Sequence, residues 1–289
     1  MRKPVLNTPI RYPGGKSKAV KKLYDYMPLM SNYTEWREPF LGGGSMSIEM
    51  SKRYPDIKIW VNDLYPALFT FWTVLQSDGE NMCEKLIQMK SECYTPDAAK
   101  KMLGEQKEII NDATSSKFDK AVAWYFANRN SFSGLTETGT FSVQANEMSF
   151  TLNIINKLPH YQKLIQNWKF TNDSYDVLLQ DISPDVFVYL DPPYEIAEST
   201  LYGKNGSMHK KFDHDEFAKN CNECSMDMMI SYNADQSIKD RFQGWNEIEF
   251  DHTYSMRSVG KYMENQKERK ELVLTNYSIE QGNLEEFFA

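Results

Sequence analysis

The residues best placed to do chemistry are Asp191-Pro192-Pro193-Tyr194. They follow an apolar run, Val186-Phe187-Val188-Tyr189-Leu190, that reads as a buried strand. Two adjacent prolines cannot continue a strand ladder or begin a helix smoothly, so the strand ends there. A carboxylate is then left at the strand's carboxyl end with an aromatic ring just beyond it. In open α/β sheets ligands bind outside that edge. An acid acceptor, backbone carbonyls freed from the ladder and a flat ring together suit a planar substrate that carries an NH2 group.

A second constellation is Glu38-Pro39-Phe40-Leu41-Gly42-Gly43-Gly44. Glycines after a first strand let the backbone approach a ligand closely and open the following helix. The dinucleotide fingerprint needs a third glycine where Ser47 stands, which disfavours hydride-transfer cofactors. Asp63 ends the next strand, 63 − 44 = 19 residues after the last glycine, an interval that suits an acceptor for ribose hydroxyls. Asp173 follows a further strand and is placed to receive an amine from an adenine ring, or to serve as an ordinary turn aspartate. Gly15-Lys16-Ser17 resembles the tail of a phosphate-binding P-loop, but Ile10 occupies the position of the first glycine and the motif fails.

These groups need a scaffold, and the pattern supplies one. Strand signals recur at residues 34–39, 57–61, 168–171, 185–190, 227–230 and 271–274, alternating with helical segments. One helix is expected from Ser17 towards Pro28 with Ser17 as N-cap, another from Ser45 to Arg53, and a third over residues 64–77. The alternation implies an α/β sheet with helices on both faces. Between residues 79 and 165 it stops and helical segments dominate, the texture of an inserted lobe. The expected division is a catalytic and cofactor-binding domain from 1–78 and 166–289, with 79–165 inserted. Residues 198–216 read as a loop directly after the Asp-Pro-Pro-Tyr corner.

Composition narrows the class. The 289 residues are 41 % hydrophobic and 25 % charged, the balance of a soluble globular protein. No apolar run is long enough to cross a membrane, and no apolar segment follows Met1-Arg2-Lys3-Pro4, so a cytoplasmic location is expected. Net charge is −7, yet the first 24 residues hold Arg2, Lys3, Arg11, Lys16, Lys18, Lys21 and Lys22 and no acid, a footprint suited to phosphates. Cys221-x-x-Cys224 lacks a second pair, and His160, His209, His214 and His252 have no metal spacing, so reduced thiols and no metal are expected.

Taken together the motifs resemble the Dam family (D12 class, alpha group) of site-specific N6-adenine DNA methyltransferases. Tyr12-Pro13-Gly14-Gly15-Lys16 is similar to its N-terminal loop, Glu38 to Ser45 to its glycine loop, and Asp191 to Tyr194 to its catalytic corner. Asn128-Arg129 with Gly134-Leu135 is similar to the start of its target-recognition segment. The order matches members whose recognition lobe lies between cofactor loop and catalytic corner.

The resemblance implies a Rossmann-like S-adenosylmethionine-dependent sheet with an inserted, mainly helical recognition lobe. It implies S-adenosylmethionine as methyl donor, S-adenosylhomocysteine as product and double-stranded DNA as partner of a monomer or weak dimer. By that analogy Tyr12, Lys16, Glu38, Pro39, Phe40, Gly42, Gly44, Asp63, Asp173 and Asp191 contact the cofactor. Asp191, Pro192, Pro193 and Tyr194 act on a flipped adenine. Lys204, Lys210 and Lys211 are candidates for phosphate, and Arg129, Asn130 and Ser133 for base or backbone contacts. Arg257, Ser258 and Lys261 are candidates for a C-terminal contact loop. One departure stands out. GATC-specific members carry an arginine after the Gly-Leu pair, whereas this chain reads Leu135-Thr136-Glu137-Thr138. Arginine bidentate to guanine is the commonest specific base contact, so a GATC target is in doubt. An RNA adenine, an amide substrate and a non-catalytic nucleic-acid-binding role are the competing readings, and Asp191 disfavours the amide, where asparagine is usual.

Overall fold

The computed structural model describes residues 4–136, 138–194, 212–251 and 270–279. Among them, seven strands form one sheet: β1 (Glu35–Glu38), β2 (Lys58–Asn62), β3 (Lys169–Thr171), β4 (Val186–Leu190), β5 (Asp227–Asn233), β6 (Asn246–Asp251) and β7 (Lys270–Thr275). Their order is β3-β2-β1-β4-β5-β7-β6. The first five are parallel, β7 runs antiparallel to β5, and β6 antiparallel to β7. From β1 the chain proceeds outward to β2 and β3, then returns to β4 on the other side of β1. The strand order therefore reverses between β1 and β4, and a crevice opens there at the carboxyl ends.

β4 shows why the apolar run is continuous. Val186, Val188 and Leu190 face one apolar layer, while Phe187 and Tyr189 face the other. A parallel strand covered on both faces has no polar side to alternate with. Phe187 and Tyr189 stack against Trp36 of β1 at centroid distances of 5.6 and 5.8 Å.

The helices are α1 (Val20–Tyr24), α2 (Ser45–Arg53), α3 (Pro66–Glu92), α4 (Pro96–Asn111), α5 (Lys117–Asn130), α6 (Val143–Ser149), α7 (Leu152–Ile155), α8 (Leu158–Leu164), α9 (His214–Glu223) and α10 (Gln236–Arg241). Six of them, α3 to α8, lie between β2 and β3. α5 packs against both α3 and α4, and every residue from Ala121 to Asn130 is buried. Its polar last turn, Asn128-Arg129-Asn130, is thus turned inward.

Three details differ from the sequence expectation. The first helix begins at Val20, because Ser17 bonds the Ser45 hydroxyl at 2.9 Å instead of capping. The helix expected over 64–77 continues to Glu92, with non-helical backbone at Asp78 (φ −145°). β6 carries alternating acids, Glu247 and Glu249, and is recognisable as a strand only through its pairing with β7.

Candidate active site

The corner after β4 sits at the topological reversal. Asp191 keeps 21 % of its side chain exposed, and Pro192 is buried. The Lys16 ammonium donates to both Asp191 oxygens, at 2.7 and 3.0 Å, and to the Tyr194 hydroxyl at 2.7 Å. A second acid completes the cluster. Glu271 of β7, 1 % exposed, lies 3.2 Å from Lys16 and accepts from the Tyr194 hydroxyl at 2.5 Å. Burial pushes the Asp191 carboxyl up to about 6; Lys16 pulls it down and Glu271 pushes it further up. Tyr194 is backed on one face by the buried ring of Tyr232, 5.6 Å away.

The glycine loop is built from β1 and held from four directions. Asp63 accepts from Gly42 N at 2.9 Å and from Tyr65 N at 3.0 Å, tying the loop to the start of α3. Trp72 donates to the Gly42 carbonyl at 3.1 Å, and Thr8 to that of Gly43 at 2.6 Å. Asn62 donates to the Pro39 carbonyl at 3.1 Å. Gly42 has φ +46°, and a Cβ there would meet the Tyr12 ring at 2.7 Å, so only glycine lets that ring lie on the loop.

Several acids expected at the cofactor have structural partners. Glu38 accepts from the Ser47 amide at 3.0 Å and from the Ser47 hydroxyl, capping the first turn of α2. Its burial raises the carboxyl to about 8, against the lowering effect of the Ser47 bonds. Asp63 is likewise raised to about 6 by burial. Asp173 is exposed at the same sheet edge, its backbone fixed by Asn62 at 2.9 and 3.0 Å. Phe40 is half-buried, stacked on Tyr175 at 5.5 Å.

The structure thus brings Tyr12, Lys16, Gly42, Gly44, Asp63, Asp173, Asp191 and Tyr194 to one sheet edge. It does not bring Arg129 and Asn130 to a surface. Arg129 is buried, and its guanidinium donates to the Pro9 carbonyl. Asn130 is fully buried between the Phe126 carbonyl, 2.8 Å, and Asn146, 2.6 Å. Neither is placed to reach a base, which corrects that expectation. Ser133 alone of the three stays half-exposed, in a left-handed turn with φ +53°. Lys204, Lys210, Lys211, Glu137, Arg257, Ser258 and Lys261 lie outside the described residues.

The Asn-Arg…Gly-Leu segment has a different use. Asn128 accepts from Arg11 N at 2.9 Å and donates to the carbonyls of Arg11, 2.8 Å, and Gly134, 3.0 Å. Arg11 donates in turn to the Ser131 carbonyl at 2.7 Å. Gly134, at φ +74°, has the Arg11 carbonyl where a Cβ would stand, 2.6 Å away. The end of α5 therefore clamps the strand of chain that carries Tyr12 and Lys16. Sequence reasoning missed this clamp and missed Glu271. The signal for Glu271 was present: a lone acid at the head of a run of buried apolar residues.

Residues 12–256 match the D12 class N6 adenine-specific DNA methyltransferases. The chain belongs to this family. It is an adenine-specific DNA methyltransferase. It is 24 % identical over 257 residues to the type II methyltransferase M.MjaIII of Methanocaldococcus jannaschii, covering 82 % of this chain and 88 % of that one. It is 20 % identical over 291 residues to the type II methyltransferase M1.LlaDCHI of Lactococcus lactis subsp. cremoris, covering 92 % and 94 %. A DNA N-6-adenine-methyltransferase of Escherichia phage P1 is 20 % identical over 69 % of this chain and 25 % of its own length. Among the described residues no group of His, Cys, Asp or Glu could hold a metal ion, and no helix is long and apolar enough to cross a membrane. The four cysteines are buried free thiols.

Proposed function

We propose that this methyltransferase uses S-adenosylmethionine, and that it acts on the N6 of an adenine flipped out of double-stranded DNA. The observation that carries the reading is Asp191 at the reversal between β1 and β4, with the glycine loop on one side and Tyr194 on the other. The fit to the donor rests on three features. The loop offers backbone without side chains at Gly42 and Gly44; Asp63 and Asp173 stand at the neighbouring strand ends; and two carboxylates against one lysine favour a cationic group. When bound, S-adenosylmethionine supplies a methyl carbon already activated by a sulfonium. Positioning then accounts for much of the acceleration.

The exocyclic amine is buried in a duplex, so the base has to leave the stack at a cost of about a few kcal/mol. Tyr194, stacked on Tyr232, supplies the ring against which the flipped base packs. The Asp191 carboxylate and the Pro192 carbonyl accept the two N6 hydrogens, which aims the nitrogen lone pair away from both. Asp191 then stabilises the charge growing on N6 and takes its proton directly or through water. With its carboxyl near 6, Asp191 is ionised at neutral pH and able to do so. Residues 79–165 are the reading lobe in this proposal. The target is left open, because the arginine that GATC-specific members carry after the Gly-Leu pair is missing from Leu135-Thr136-Glu137-Thr138.

The test is Asp191→Ala with labelled methyl donor and separate duplex DNA and RNA substrates. Loss of transfer to DNA with an unchanged melting profile is the expected result. Full activity in the variant, or transfer only to RNA in the parent, refutes the proposal.

A further inference from the structure

A carboxylate is almost never fully buried without a partner, and removing one member of a buried pair is strongly destabilising. Glu271 is such a group, and its place is set by topology. β7 runs antiparallel to β5, so its second residue pairs with Asn233 at the carboxyl end of β5. That reversal delivers Glu271 to the edge that holds the Asp191 corner. There Glu271 faces Lys16 at 3.2 Å and the Tyr194 hydroxyl at 2.5 Å. The hydroxyl accepts from Lys16 and donates to Glu271, so the three groups form a closed ring of contacts.

The ring matters because Lys16 is engaged with Asp191. Its ammonium bonds both carboxylate oxygens, at 2.7 and 3.0 Å. An incoming amine that draws on Asp191 competes with Lys16 for that carboxylate's acceptor sites. With no other anion beside it, that ammonium would lose its charge partner in a buried site. Glu271 provides the alternative partner, 3.2 Å from the same ammonium.

We propose that Glu271 is a positioning residue for methyl transfer: it holds the Lys16 ammonium and the Tyr194 hydroxyl, so that Asp191 can exchange a Lys16 bond for one from the substrate amine. This rests on the adenine-N6 reading above. Glu271 touches neither reactant; it acts through Lys16 and Tyr194. The groups facing Asp191 among the described residues are Lys16 of the N-terminal loop, Glu38 of β1, Tyr189 of β4, Tyr194 and Glu271. Lys16 lowers the Asp191 carboxyl and Glu271 raises it. Removing the Glu271 charge therefore lowers it twice, by taking away the repulsion and by leaving Lys16 to Asp191 alone.

The decisive variant is Glu271→Gln, which keeps size and one acceptor oxygen and removes the charge. A misplaced reacting group costs about 100-fold in rate, so kcat should fall by about that factor with little change in the KM for cofactor. The acid limb of the pH–rate profile should move to lower pH than in the parent. In a double-mutant cycle with Tyr194→Phe the two losses should fall short of additive. Parental kcat overturns the proposal. So does a loss of activity that leaves the acid limb in place or adds fully to Tyr194→Phe, since that is the signature of a merely structural residue. A carboxyl-13C titration of Asp191, assigned with Asp191→Asn, reads the same shift without turnover. A parent inactive on adenine would sink the function reading alone, while that titration still decides the role of Glu271.

Discussion

Replacing Asn128 by alanine separates a structural clamp from a base reader. The side chain makes three hydrogen bonds: one accepted from Arg11 N at 2.9 Å, and two donated, to the carbonyls of Arg11 at 2.8 Å and Gly134 at 3.0 Å. Asn128 is 1 % exposed, so water cannot replace these partners without rearrangement. At about 1 kcal/mol net for each bond the loss is about 3 kcal/mol. For a domain of this size that lowers the melting temperature by roughly 6 °C. The loop it releases carries Tyr12 and Lys16, so affinity for S-adenosylhomocysteine should fall about tenfold, equivalent to about 1.4 kcal/mol. Differential scanning fluorimetry and isothermal titration calorimetry measure the two effects. Asn128→Asp, which retains the acceptor for Arg11 N but sets a buried carboxylate oxygen against the two carbonyls, should destabilise at least as much as alanine. A variant with parental melting and parental cofactor affinity, impaired only in DNA binding, would refute the clamp and assign Asn128 to DNA contact instead.

Two further outcomes follow from charge. The Glu38 carboxyl is raised by burial to about 8, so its contribution to stability is complete below its ordinary value and is lost as pH rises through about 8. Asp63 and Asp191, both raised to about 6, act in the same direction at lower pH. Melting temperature should therefore fall from pH 5 to pH 8, and Glu38→Gln, held neutral, should flatten the upper half of that fall; parallel curves would refute the assignment. Of the basic residues near the N-terminus, Arg11 and Lys16 are spent on internal contacts, whereas Lys18, Lys21 and Lys22 are exposed. If these three meet phosphates, replacing them all by alanine reduces the salt slope of DNA binding by about 3. An unchanged slope would remove them from the footprint.

The legible parts of this fold were those set by local physics. Val186 to Leu190 read as a buried strand because both of its faces are covered, and the two prolines stopped it at Asp191. The glycine run read as a loop where backbone approaches something closely, and Gly42 does meet the Tyr12 ring. Recognition misled at Arg129 and Asn130. A polar triplet at the end of a helix looks like a surface, and only packing showed that α5 is buried along its whole second half. The basic footprint shrank for the same reason, since a count of charges cannot tell which ones are consumed inside.

The sequence by itself determined the end of the strand at Asp191, the family and the alternation of strands with helices, because these depend on residue type at short spacing. Tertiary structure alone decided what surrounds Asp191. Lys16 reaches it across 175 positions of sequence, and Glu271 arrives from the last described strand. The cause is topological. The order of strands reverses between β1 and β4, and β7 turns back against β5, so residues remote in the chain meet at one edge. No local pattern carries that information, because it belongs to the crossing of the chain and not to any segment of it.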